Sequence, residues 1–130
     1  MSRHVNRTDK TYWAYQEYKK QQREGYKDEF SFHEDEAKII KDYEHWFIRE
    51  NKFPYDHIFE KHHMLVPRRV ISSYEDMTKE EKEEYLRIRE EVAHIYDGIL
   101  ENFPSAKSVH AHFHPHLFVW KNLGEGKSLI

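Results

Sequence analysis

The run Ser108-Val109-His110-Ala111-His112-Phe113-His114-Pro115-His116-Leu117-Phe118-Val119-Trp120 sets four histidines at every second residue. Alternate side chains of a β-strand share a face, so all four imidazoles would project the same way. The residues between them (Ala111, Phe113, Pro115, Leu117) are apolar and would face a core. Ordinary folding does not ask for a ladder of imidazoles. Such a row can bind a metal, hold a phosphate, or supply a nucleophile with a proton shuttle. The plain alternative is a solvated strand that happens to be rich in histidine. For a metal, neutral imidazoles at i and i+2 can share one zinc, copper or nickel ion. For a phosphate, one imidazole attacks phosphorus while its neighbours bind the oxygens.

The upstream residues bear on the choice. They read Asn51-Lys52-Phe53-Pro54-Tyr55, then His62-His63-Met64-Leu65-Val66-Pro67-Arg68-Arg69-Val70, then Tyr74-Glu75-Asp76-Met77-Thr78. With the histidine ladder, this order resembles the histidine-triad (HIT) superfamily of nucleotide hydrolases and transferases. The family pattern has a strand, a His-x-Leu-apolar-apolar-Pro segment with basic residues, a long helix, and a strand carrying alternating histidines. The resemblance runs from about residue 30 to 119.

Three registers of the triad are open, starting at His110, His112 or His114. The middle one fills every apolar slot: His112-Phe113-His114-Pro115-His116-Leu117-Phe118. In that register the resemblance makes His114 the nucleophile, with His112 and His116 orienting it and holding phosphate oxygens. His110 is an extra imidazole on the same face. Ser108 takes the place of a phosphate-donating serine, and Asn51 and His62 match positions that contact ribose or the neighbouring strand. His63 would point to the opposite face. Asn102 corresponds either to a phosphate-site asparagine or to a helix C-cap. Phe53, Tyr55 and Ile58 either line a base pocket or pack in the core. Two departures weigh against the purine-nucleoside phosphoramidase branch. Val70 stands where many relatives carry a further histidine, and Val119-Trp120-Lys121 replaces the usual ending after the triad.

The chemistry at His114 also follows without the family. An imidazole nitrogen attacks phosphorus only when neutral, and its other nitrogen then carries the proton. Flanking imidazoles can fix that tautomer and stabilise charge on the phosphoryl oxygens. No metal and no cofactor is needed. The implied activity is hydrolysis of, or nucleotidyl transfer from, nucleoside monophosphate conjugates through a nucleotidyl-histidine. A metal-binding protein built on the ladder and a catalytically idle nucleotide-binding module are the alternatives.

The elements that must position these residues form one small α+β domain of 130 residues. Its expected divisions are a helical extension over 1–29, a core over 30–121 and a tail over 122–130. The extension reads as a helix over 8–24, ended by Gly25. Phe30 and Phe32 would replace the metal knot of some relatives, with His33 at the surface. Strands are expected near 38–40, 45–48 and 57–66, with Pro67 ending the third. Thr78 and Glu81 form a capping box for a long helix over 78–102. Tyr85, Ile88, Val92, Ile95 and Ile99 form its buried stripe, widened by Leu86, Tyr96 and Leu100, with His94 exposed. This helix would pack on one face of an antiparallel sheet. Charged residues make up 35% and the net charge is −3, so no strong nucleic-acid footprint appears. The chain has no cysteine, which removes disulfides and thiolate chemistry and fits a reducing, cytoplasmic setting. No membrane partner and no secretory signal are expected. The resemblance implies a homodimer.

Overall fold

The computed structural model describes residues 6–23, 38–103 and 113–121. Helix α1 spans Asp9–Arg23. Strands β1 (Ile39–Asp42), β2 (Trp46–Glu50) and β3 (Phe59–Pro67) follow. A short 3-10 turn, Tyr74–Asp76, leads into α2 (Lys79–Val92), then β4 (Gly98–Leu100) and β5 (His116–Trp120). The strands form an antiparallel sheet in the order β1-β2-β3-β5-β4. The architecture is α+β, with α2 on one face.

Alternation sorts the side chains between the two faces. Trp46, Ile48, Leu65, Leu117 and Phe113 meet Tyr85, Ile88, Val92 and Tyr96 in one buried cluster. Phe47, Met64 and Val66 lie on the other face, with the buried Arg49, His62 and His116. A register shift between Phe59 and Lys61 brings Phe59 onto that second face, where it stacks on Phe118 at 4.4 Å between ring centroids.

The helix α2 starts where its sequence says. The Thr78 hydroxyl accepts from the Glu81 amide, and the Glu81 carboxylate accepts from the Thr78 amide. Glu81 also takes Arg69, at 2.8 Å. Trp46 Nε1 donates to the Glu81 carbonyl at 3.0 Å, and Glu84 accepts from the His45 amide at 2.6 Å. These contacts fix α2 to the β1–β2 hairpin.

Its end differs from the sequence expectation. The helix stops at Val92, not near 102, and Ile99 and Leu100 belong to β4. Ile95 and Leu86, placed on the buried stripe by periodicity, are 57% and 50% exposed. Asp97 and Gly98 explain the break. The Asp97 amide donates to the Phe118 carbonyl, and the Asp97 carboxylate accepts from the Trp120 amide. Those bonds hand the chain to the sheet edge. A Cβ on Gly98 would stand 2.7 Å from Phe118 Cζ, so only glycine allows the approach.

The histidine strand also begins later than expected, at His116. Pro115 has no amide proton to give to a ladder. Its carbonyl still accepts from Leu65, at 2.9 Å, and the Phe113 amide donates to the Ile71 carbonyl at 2.7 Å. His114 therefore sits in a tethered segment leading into β5. Ser108, His110 and His112 lie outside the described residues, as do Gly25, Phe30, Phe32, His33 and the tail. Among the described residues no helix is long and apolar enough to cross a membrane.

Candidate active site

Strands β3 and β5 bring His62 and His116 together. They are diagonal neighbours, since His62 pairs with Phe118 and Met64 with His116. His62 Nε2 lies 2.7 Å from His116 Nδ1. The Tyr55 amide, which can only donate, reaches His62 Nδ1 at 2.8 Å. His62 Nδ1 is therefore bare and its proton sits on Nε2. That proton is donated to His116 Nδ1, which leaves the neutral His116 protonated on Nε2. Among the described residues this buried Nε2 has no hydrogen-bond partner. An unsatisfied buried donor is costly, and a ligand oxygen would satisfy it.

Burial keeps both rings neutral. It pulls the His62 pKa down to about 3, helped by the charge of Arg7 and by His63 and His114. It holds His116 well below the ordinary histidine value, helped by His62, His114 and Arg7. His114 is buried too, with its ring set edge-on to His116 at 5.3 Å. His114 also lines a small cleft with Glu101, Asn102 and Phe113. Asn102 is thus brought to His114. The C-cap alternative falls away because α2 has ended ten residues earlier, at Val92.

Asn51 and His63 have different surroundings. Asn51 Oδ1 accepts from the Phe53 amide at 2.8 Å, closing the turn after β2. Its amide nitrogen rests 3.3 Å from His62 Nε2. His63 faces the α2 side, where Nδ1 lies 2.6 Å from the Tyr96 hydroxyl. Of the three candidate base-pocket residues, Phe53 packs under Tyr15 and Tyr18 of α1. Tyr55 stacks on His116 at 5.4 Å and lies 4.5 Å from His62, and its hydroxyl bonds to Asn102. Ile58 is half-buried, and its carbonyl accepts from the Lys121 amide.

Two residues near the site escaped the sequence. Arg7 lies over the rings of Tyr15 and Tyr55, and its Nε donates to the Phe53 carbonyl at 2.8 Å. Asp56 anchors α1 by accepting from the Thr8 amide and from both threonine hydroxyls, Thr8 and Thr11. The sequence placed a helix over 8–24, but nothing local showed what its start would dock against. Among the described residues no group of three or more acids and histidines is placed to hold a metal ion.

The sequence matches no family model and no curated protein. Solved structures do resemble it. A HIT family hydrolase from Legionella pneumophila Philadelphia 1 aligns with a TM-score of 0.53 at 16% identity, over 74% of this chain and 92% of that one. A histidine triad protein from Clostridium difficile aligns with a TM-score of 0.54 at 17% identity, over 73% and 89%. A HIT family hydrolase from Clostridium thermocellum gives 0.54 at 14% identity, over 75% and 90%. At such identities the likeness speaks for the fold. This chain has the fold of the histidine-triad proteins.

Proposed function

We propose that the protein is a nucleotide-binding hydrolase or nucleotidyltransferase of the histidine-triad type, with His114 as nucleophile. The observation that carries this reading is the fixed proton order from the Tyr55 amide through His62 to His116. It leaves one buried N–H without a partner beside a second buried imidazole. A neutral His114 nitrogen forms a bond to phosphorus while the bond from phosphorus to the leaving group breaks. The leaving group departs with the bonding pair and takes a proton from solvent. His116 Nε2–H donates to a phosphoryl oxygen as charge builds there. Water, or another acceptor, then attacks phosphorus, loses a proton and frees His114. Asn102, at the same cleft, offers an amide to the phosphate. In this scheme His112 assists His114 from the preceding position of the ladder, and Ser108 and His110 add phosphate contacts.

The test is incubation with a panel of nucleotide conjugates without added metal, watching for released monophosphate. Turnover should vanish in His114→Ala while nucleotide affinity stays largely intact. A trapped nucleotidyl adduct should map to His114 by mass spectrometry; an adduct on another residue overturns the assignment.

A further inference from the structure

The turn between β2 and β3 is held from two sides. On one side it seats α1. Asp56 accepts from the Thr8 amide and from the hydroxyls of Thr8 and Thr11. The His57 amide donates to the Asn6 carbonyl at 2.8 Å. Arg7 Nε donates to the Phe53 carbonyl at 2.8 Å, and Phe53 lies against Tyr15 and Tyr18. A helix of 15 residues is marginal in water by itself, so α1 depends on this seat. On the other side the same turn meets the imidazoles, and Tyr55 makes the contacts. Its amide donates to His62 Nδ1 at 2.8 Å, and its ring stacks on His116 at 5.4 Å. Its hydroxyl bonds to Asn102, in the cleft beside His114.

The Tyr55 amide thus lies between two anchors of α1, the Phe53 carbonyl and the Asp56 carboxylate. A shift of either anchor moves the donor to His62, and a hydrogen bond weakens steeply off line. Without that donor, either nitrogen of His62 can carry the proton, and the order passed to His116 is lost. The same shift carries the hydroxyl away from Asn102. We propose that Tyr55 is the positioning residue of the site and that α1, seated on Asp56, is the clamp that holds it. Docking of α1 thereby fixes the proton order of the imidazole pair and the aim of Asn102. The effect on turnover rests on the reading of His114 as nucleophile; the effect on proton order does not.

Long-range proton–nitrogen correlation spectra of the labelled full chain show which ring nitrogen carries the proton. At pH 7 the wild type should show His62 and His116 each protonated on Nε2. Asp56→Ala removes the acceptor of three donors at the start of α1 without touching an imidazole. It should speed amide exchange in α1 at least about tenfold, put at least about a fifth of His62 in the Nδ1–H form and lower kcat about tenfold. Tyr55→Phe keeps the amide and the ring, so the tautomers should stay while kcat/KM falls about three- to tenfold through Asn102. Thr78→Ala weakens the start of α2 rather than the seat of α1 and should leave both tautomers as they are. A wild type with either ring protonated on Nδ1 overturns the proposal. So does an Asp56→Ala chain in which α1 exchanges faster while His62 stays wholly in the Nε2–H form, an unchanged kcat/KM in Tyr55→Phe, or mixed tautomers in Thr78→Ala. Protection of α1 that survives both Asp56→Ala and Asp56→Lys, which sets a cation against the positive end of the helix, overturns it too. A wild type that turns over none of the conjugates removes the nucleophile reading instead, while the tautomers still decide the role of Tyr55.

Discussion

His62 and His116 carry their protons in one arrangement because a backbone amide stands at one end of the pair. Their low pKa values also couple the site to stability. In the unfolded chain a histidine titrates near 6.5, so below that pH the unfolded state binds protons that folded His62 refuses until about pH 3. Stability is then full above pH 6.5 and falls as the pH drops toward 3, by up to about 1.4 kcal/mol per pH unit for each such group. Urea unfolding at pH 7, 6 and 5 should show this loss, and His62→Phe should reduce the slope. That variant also leaves His116 Nδ1 without its donor and free to take the proton, so kcat should fall by about a hundredfold. His114 and His116 stood out in the sequence through residue type and two-residue spacing, whereas His62 stood out only through the family resemblance. Arg7 and the stacking of Tyr55 did not stand out. Their roles depend on where α1 docks, and no local pattern encodes a contact across 46 residues.

At the scale of elements, the capping box was the clearest sequence signal for a start, and the structure contains it. Thr78→Ala removes the acceptor for the Glu81 amide and should cost about 1 kcal/mol in thermal or urea unfolding. The helix end misled because apolar residues continue at three- and four-residue spacing beyond Val92. Those at 99 and 100 serve a strand instead, where their neighbours lie across the sheet. A period read along the chain cannot distinguish these outcomes when a helix passes into a strand through five residues. Gly98 was the missed sign. Gly98→Ala would push a methyl into the Phe118 ring, which is itself stacked against Phe59 and Trp120. The expected destabilisation is about 1–3 kcal/mol, measured by the urea midpoint at constant slope.

For the whole molecule, Leu86, Ile95 and Phe103 remain exposed along α2 and on either side of β4. Exposed apolar side chains, two of them flanking the short edge strand β4, suit a second copy of the chain. Sedimentation equilibrium at micromolar concentration should therefore show a dimer of the 16.1 kDa chain; a species of 16.1 kDa alone would refute it. The strand order has a further consequence, for the history of each chain rather than its resting state. Among the described residues β5 is the last strand in sequence, yet it sits between β3 and β4. Until it arrives, β3 offers an open edge and β4 has no neighbour to pair with. A chain emerging from the ribosome thus holds a half-built sheet until β5 has been made. The final insertion must close a loop of 54 residues before His62 meets His116, the kind of distant pairing that slows folding. The strand that completes the imidazole pair is also the one that seals the sheet, so a chain that fails to finish folding exposes an adhesive edge and has no assembled site.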